Sequence, residues 1–330
     1  MLENLENLEN LENRTVESSD SASIDVHAPD PEDSRDLLLK VPGAAPVHAR
    51  DDVYSDRIRC DHPGVSPGAL LGQSLLAAAE RLDRGRVVAF VRPKVERGLE
   101  QVGFEREGLI PGFYEGELPC AVMGAYPDAS RSDLAHPREV AEVKALLAAR
   151  EAEISHDEDG ARAPARPRHP RVETRRATID DAPAIAALLD ETFAAYPTPS
   201  GDPDYLAAAI AEGTPFRFVE DSGRVVACAS ADLIADARTA ELTDCATRPT
   251  HRGRGLMQSV LLDLMDDVRS LDYPTAFTLA RARVPGVNLA FARLGFSFNG
   301  TMRQSCRIGT GIEDMNILSR RLDDRAAAAI

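Results

Sequence analysis

The sequence predicts an α/β (α+β) protein of two related domains, the second complete and the first smaller and degenerate. Three observations predict it. A β-prone run, residues 240–247, enters a loop with glycines at 253 and 255 and then an amphipathic helix over 255–268. From residue 173 onward, period-2 and period-3.6 segments alternate in the order βααβββαβαββ. Short motifs of that region also recur upstream. Gln73-Ser-Leu-Leu echoes Gln258-Ser-Val-Leu, and Val102-Gly-Phe-Glu-Arg-Glu-Gly108 echoes Leu294-Gly-Phe-Ser-Phe-Asn-Gly300. Coincidence between two α/β units is the bland alternative to a duplication.

Residues 2–13 are four copies of Leu-Glu-Asn. A three-residue period spreads leucines around a helix instead of along one face, and the repeated Asn weakens the helix further. Together with the Asp-, Ser- and Pro-rich stretch that follows, residues 1–50 read as a disordered low-complexity extension. Residues 51–153 read as the first domain. Its strands fall at 53–59, 86–91, 104–110 and 118–123, and its helices at 69–82, 94–102 and 132–153. Residues 154–172, with Pro164, Pro167 and Pro170, form a linker.

The second domain, 173–322, opens with a strand at 175–179. A helix capped by Asp180 or Asp181 follows, with Pro183 in its first turn and Ile185, Leu188, Leu189 and Phe193 on its buried side. After Tyr196-Pro-Thr-Pro-Ser-Gly-Asp-Pro203 comes a helix through Ile210. A hairpin, 216–220 with 224–231, turns at Asp221-Ser-Gly223. Beyond the strand and glycine loop already described lie a strand at 275–280, a helix at 286–293 and strands near 296–305 and 313–319. Residues 323–330 are a tail.

The net charge of −16 and the pI near 4.9 argue against a nucleic-acid or anionic-membrane partner and favour a cationic small substrate. A dense carboxylate surface also suits a salt-rich cytoplasm, where repulsion is screened. Cys60, Cys120, Cys228, Cys245 and Cys306 are scattered, odd in number and without a C-x-x-C pair. That argues against structural zinc and a disulfide framework, and no metal is expected. No apolar run approaches the ~18–20 residues of a membrane span, and no secretory signal is visible. The expected location is cytoplasmic; a homodimer stays open.

Two glycines at a strand-to-helix turn let the backbone curl so that several N–H groups meet beside the positive end of the helix, a seat for pyrophosphate. Arg252 and Arg254 add charge there. His251 stands in the same loop, for phosphate contact or plain exposure. The alternative is a turn with no ligand.

The pattern Pro249-x-x-Arg-Gly-x-Gly255-Leu256, followed by Asn288 and Leu294-Gly-Phe296, resembles the GNAT acyl-CoA N-acyltransferases. The resemblance implies the GNAT fold, with a degenerate GNAT-like first domain that has only His62-Pro-Gly-Val-Ser-Pro-Gly68 in place of the loop. It implies acetyl-CoA as acetyl donor, bound by Cys245, Ala246, Thr247, Arg252, Gly253, Arg254, Gly255, Leu256, Met257, Asn288 and Phe291. In the family the strand carrying residues 240–247 splays from the next, which frees backbone groups for the pantetheine arm and one N–H to polarise the thioester.

Ala240-Glu-Leu-Thr-Asp-Cys245 is similar to the strand of members whose Glu activates the amine through water, so Glu241 is the expected base; a solvated strand-end charge is the alternative. By alternation Glu241, Thr243 and Cys245 share one face, and Leu242, Asp244 and Ala246 the other. Asp244 at a half-buried position needs a partner, which a substrate ammonium, Arg281 or Arg283 would supply. Cys245 reads as a core residue. Two positions depart from the family: Met257 stands where Gly or Ala is usual, and Phe291 where many members have a proton-donating Tyr.

Tyr196-Pro-Thr-Pro199, Glu241-Leu-Thr-Asp-Cys-Ala-Thr247, Phe277-Thr-Leu-Ala-Arg-Ala282 and Gly309-x-Gly-Ile-Glu-Asp-Met-Asn316 resemble the beta-lysine N-acetyltransferases, which make a zwitterionic compatible solute. That resemblance implies a pocket including Tyr196, with Asp244, Glu313 and Asp314 at the far ammonium and Arg281 at the carboxylate. The competing readings are a GNAT acting on a protein lysine or N-terminus, and a module that binds CoA without turnover.

Overall fold

Two half-sheets of one plan meet edge to edge. The first half comprises β1 (Arg35–Leu39), β2 (Val47–Asp52), β3 (Arg57–Asp61), α1 (Gly68–Leu82), β4 (Arg86–Val91), α2 (Pro93–Glu100), β5 (Glu105–Tyr114), β6 (Leu118–Ala125) and a long helix α3 (Pro137–His156). In the second, β7 (Arg175–Arg176), α4 (Ala182–Thr192) and α5 (Pro203–Ala211) come first. There follow β8 (Phe216–Asp221), β9 (Arg224–Ile234), β10 (Thr239–Thr247), α6 (Leu256–Ser270), β11 (Thr275–Arg281), α7 (Pro285–Arg293), β12 (Ser297–Ile308) and β13 (Gly311–Arg321). The computed structural model describes residues 34–156, 171–193, 195–309 and 311–323. The Leu-Glu-Asn repeat, most of the expected linker and nearly all of the tail lie outside the described residues. Among those described, no helix is long and apolar enough to cross a membrane.

The second half realises the expected order βααβββαβαββ. From β8 to β13 and from β1 to β6 the chain runs βββαβαββ. Read inward, the sheet orders are 1-2-3-4-6-5 and, inside the short edge strand β7, 8-9-10-11-13-12, and each half has its parallel pair at the same place, β3·β4 and β10·β11. The halves pair antiparallel at Gly108 and Gly300, the last residues of the two echoing motifs. Gly300 must be glycine, and Gly108 leaves no room for a side chain unless a neighbour shifts. A Cβ on Gly300, whose φ is +146°, would lie 2.1 Å from the Glu107 carbonyl, and one on Gly108 would lie 2.5 Å from Ile317 Cδ1.

Helix burial follows the 3.6-residue period. On α6, Leu256, Val260, Leu261, Leu264, Met265 and Val268 are buried, and on α1, Leu71, Leu75, Ala78 and Ala79. Asp181 caps differently from the expectation. It reaches back to accept from the Thr178 N–H at 2.9 Å and hydroxyl at 2.8 Å, closing a capping box.

Two domain boundaries are corrected. Residues 35–39 and 47–50, expected to be disordered, lie in strands of the sheet, β1 and β2. Leu39, Val41, Val47 and Ala49 enter the first core, and Asp51 is held by Arg35 at 3.2 Å and Arg84 at 2.6 Å. Their apolar alternation is short and lies among charges that are neutralised only in the fold. The helix α3, assigned to the first domain, sends Val143 and Leu147 into the second half's core beside α6 and α7.

The seam carries buried charge. Arg86 and Glu107 are both inaccessible and ion-paired. Glu107 also accepts from the Tyr126 hydroxyl at 2.6 Å and the Arg303 N–H at 2.7 Å. A buried carboxylate with this many donors locks the register of the two halves.

Candidate active site

The strands β10 and β11 are in register over three pairs only, Thr239–Thr275, Ala240–Ala276 and Glu241–Phe277. Beyond these pairs the two strands no longer bond each other: β10 runs on to Thr247 against β9, and β11 to Arg281 against β13. The sheet opens into a V just past Glu241, and the backbone groups along its arms are turned to the gap.

At the far end of β10 the chain makes the expected loop. Gly253 and Gly255 have φ of +72° and +73°, and Gly255 is the N-cap of α6, with no side chain capping the helix. The first-turn N–H groups therefore present an anion seat. Arg252 and Arg254 are exposed, with Arg252 Nε donating to the Thr247 carbonyl at 3.3 Å. His251 is neither simply exposed nor free for phosphate. It lies 2.9 Å from the Thr250 hydroxyl and 3.2 Å from Asp221, which also lies 3.8 Å from Arg254. A hollow of about 440 Å³ adjoins the loop, lined by Asp221, Arg224, Arg248 and His251 among others. Leu256 is a core side chain and Met257 packs beside it, so these two offer backbone only. The donor set fits the pyrophosphate and pantetheine of acetyl-CoA.

On β10 the expected alternation fails at one residue. The register with β9 shifts between Thr243 and Ala246, and Asp244 has φ +50°. This is a β-bulge, and one extra residue exchanges the faces beyond it. Before it, Ala240 and Leu242 enter the α6 core; after it, Ala246 enters the α4 core and Cys245 packs on the α6 side. Asp244 turns to the Glu241 face, where it accepts from Ser230 Oγ at 2.5 Å. The predicted grouping of Glu241 with Cys245, opposite Asp244 and Ala246, is thus reversed.

That face holds a cluster of carboxyls. Asp232 on β9 is the register partner of Glu241. Burial, with Asp232, Asp61 and Asp244 nearby, raises Glu241 to about 7 against the opposing pull of Arg59. Loss of solvent and the neighbouring Asp244 raise Asp232 to about 6. Asp244 is also raised by burial, although Ser230 and Tyr196 hydrogen-bond its charged form. Tyr196 closes the cluster, its hydroxyl 3.5 Å from Thr243 Oγ1 and its ring stacked at 4.5 Å on Phe193. Burial raises the Cys245 thiol far above its ordinary value, which fits a core residue.

Five other expected site residues are engaged elsewhere. Glu313, 2% exposed, is ion-paired with Arg281 and Arg283 at 2.6 Å each. Burial would raise its carboxyl, but those two guanidiniums hold it below the ordinary range. Glu313 is therefore not a free partner for substrate, whereas Arg281 gives it only Nη2 and keeps 29% of its side chain accessible. Asp314 accepts from the N–H groups of Gln304 at 2.8 Å, Ala135 at 3.2 Å and His136 at 3.3 Å, fixing the approach to α3. Asn288 is inaccessible. Its amide donates to the carbonyls of Arg281 and Val284 at 2.9 and 2.7 Å and accepts from Asn316 at 2.9 Å, so it anchors the start of α7. Phe291 is also inaccessible and packs edge-on against Phe296 at 5.0 Å; it belongs to the core.

The sequence reading missed Asp232, Ser230, Arg59 and Asp61. The predicted strand stopped at Ala231, one residue short of the partner of Glu241. The alternation Arg57-Ile-Arg-Cys-Asp61 was the signal for the other pair: Ile58 and Cys60 enter the first core, so the charges line the opposite face. Among the described residues, no group of three or more His, Cys, Asp or Glu is placed to hold a metal ion.

Comparison with known proteins agrees with this geometry. A family model described as the acetyltransferase (GNAT) family matches residues 182–296. A beta-lysine N(6)-acetyltransferase of Methanosarcina mazei is 33% identical over 258 residues, 75% of this chain and 94% of that protein. The N-acetyltransferase YodP of Bacillus subtilis is 28% identical over 272 residues, 82% of this chain and 94% of that protein. A beta-lysine N(6)-acetyltransferase of Methanococcus maripaludis is 27% identical over 136 residues, 41% of this chain and 50% of that protein. The first two matches are longer than the second half, so the similarity reaches well into the first.

Proposed function

The chain belongs to the acetyltransferase (GNAT) family and is an acetyl-CoA-dependent N-acetyltransferase; on that premise we propose that its acceptor is β-lysine, acetylated at the terminal amine with Glu241 as base. The observation that carries this reading is the carboxyl face of Glu241, Asp232 and Asp244, set where β10 parts from β11. A diamino acid brings two ammonium groups, and a face with three raised carboxyls is short of cations. The names of two relatives point the same way.

When bound, acetyl-CoA supplies the activated acetyl group. Gly253, Gly255 and the first turn of α6 hold its pyrophosphate, and the arms of the V hold its pantetheine chain. Glu241, poised near neutrality, takes the proton of the attacking amine, directly or through one water. Asp244 and Asp232 receive ammonium charge, and Tyr196 sits against the buried Asp244. With Phe291 in the core, the departing thiolate takes its proton from solvent or from another acid.

The first half is a degenerate copy without a CoA site. Its parallel pair β3·β4 stays in register over all five residues of β3, and the start of α1 is closed by α2. A Cβ on Gly68 would lie 2.2 Å from the Val95 carbonyl and 2.9 Å from Gly98 Cα. The product, Nε-acetyl-β-lysine, keeps one ammonium and one carboxylate and is a net-neutral zwitterion. That suits a compatible solute, and the acidic composition suits the same salty cytoplasm.

Acetyl-CoA consumption with β-lysine, α-lysine, polyamines and lysine- or N-terminal peptides tests the acceptor. Turnover of β-lysine well above the rest is expected. Turnover confined to peptides would replace this reading with a protein acceptor.

A further inference from the structure

We propose that Arg59, carried by the half without the cofactor loop, binds the carboxylate of the acceptor. The inference rests on the β-lysine reading above and adds to it a specificity residue from the other half of the sheet.

Four observations support it. First, alternation on β3 sends Ile58 and Cys60 into the core under α1 and leaves Arg59 and Asp61 on the face shared with Glu241. Second, a chain of rings links the two places. Phe277, the register partner of Glu241, lies 5.5 Å from Phe113. Phe113 and Phe90 belong to one core cluster with Phe277, and the Arg59 guanidinium stands 5.2 Å over the Phe90 ring. Third, the charges sense each other. Arg59 is the strongest charged influence on the Glu241 carboxyl. Burial would weaken the Arg59 charge, but Asp61 and Glu241 hold it firmly protonated.

Fourth, the guanidinium is only partly used. Its Nε donates to Asp61 at 2.8 and 3.1 Å, and among the described residues no acceptor meets its Nη atoms. The side chain keeps 24% of its surface accessible. A planar fork resting on a ring, its Nη groups unmatched and its charge felt by Glu241, suits bidentate capture of a carboxylate. A carboxylate entering beside Glu241, Asp232 and Asp61 would otherwise meet only like charge. Arg281, the arginine expected from the sequence, is instead paired with the buried Glu313.

The test compares β-lysine with 1,4-diaminopentane, which is β-lysine without its carboxyl group. The unaltered chain is expected to prefer β-lysine in kcat/KM. In Arg59→Gln the β-lysine:diaminopentane ratio should fall about 10- to 100-fold, as for loss of a charged hydrogen-bonded pair. The fall should lie mainly in KM for β-lysine, and Arg59→Lys should recover part of it. A merely structural role would lower both acceptors together and leave the ratio unchanged, which would overturn the proposal. So would loss of the preference in Arg281→Gln with its retention in Arg59→Gln. Acetyl-CoA affinity and thermal melting of each variant separate misfolding from a binding defect. If the unaltered chain turns over no β-lysine, the acceptor reading fails, and this proposal fails with it. Turnover with an unmoved ratio overturns this proposal alone.

Discussion

The two halves of the sheet share strand order and helix placement, yet they differ where the chemistry of the second half is done. In the second half β10 is nine residues long and leaves β11 after three pairs, whereas β3 is five residues long and stays with β4 throughout. The start of α6 is an uncapped turn built on Gly255, whereas the start of α1 is pressed onto α2 through Gly68 and Gly98. If the first half holds no acetyl-CoA, as proposed above, the fold alone makes no cofactor site. The site needs a strand long enough to outrun its neighbour and a helix terminus left open to an anion. Freed of that task, the first half turns β3 toward the other half's cleft.

The sharpest way to break the comparison is to close the open helix terminus. Gly255→Asp places a side chain at a left-handed φ and a negative charge in the anion seat. Acetyl-CoA affinity by calorimetry should fall roughly 10²-fold or more. Unchanged affinity would place the cofactor elsewhere.

Removal of the proposed base comes next. Glu241→Gln should lower kcat on the order of 10²–10⁴-fold with KM for β-lysine nearly unaltered. With its carboxyl raised to about 7, Glu241 in the proposed role is ionised and active above that pH and protonated below it. The rate of the parent should therefore fall about tenfold per unit as pH drops below 7, and this acidic limb should vanish in the variant. Asp244→Asn should act mainly on KM for the acceptor, by about tenfold, because it removes binding present in ground and transition states alike. Equal losses in kcat from both variants would mean a coupled carboxyl pair.

Smaller effects test the halves as packed bodies. Gly98→Ala, with a Cβ 2.6 Å from the Ala69 backbone nitrogen, should cost about 1–3 kcal/mol in denaturant unfolding and leave acetyl-CoA affinity alone. Gly300→Ala should cost a similar amount by prying the seam. If Gly98→Ala weakened acetyl-CoA binding instead, the first half would have a cofactor role.

The smallest expected effect concerns stability and Glu241. Its carboxyl is raised from 4.5 to about 7 in the fold. Between those values the folded chain holds a proton that the unfolded chain has released. The contribution of this group to stability is thus largest at low pH and declines as pH rises through the window. Glu241→Gln should melt a few degrees above the parent at pH 8 and match it near pH 4. A variant less stable at pH 8 would mean that the carboxylate is paired and not strained.

The sequence by itself determined the order of elements in the second half, the glycine loop with its two left-handed residues, the repeat between the halves and the place of Glu241. These are local matters. Periodicity, turn chemistry and motif spacing are written within one or two elements, and a glycine at a strand-to-helix turn carries its own backbone preference. Only the tertiary structure decided which charges belong to the site. Glu313, Arg281 and Asp314 are polar residues of the right types, but each finds a partner in an element distant along the chain, and Asn288 is taken up both by Asn316 and by carbonyls at the start of its own helix. The bulge at Asp244 is a property of pairing with β9, and it reverses the faces that strict alternation assigns. Asp232 and Arg59 reach the Glu241 face through strand register and through the joining of two half-sheets at Gly108 and Gly300. Burial and charge pairing are set by what packs across space, and a one-dimensional pattern does not contain that information.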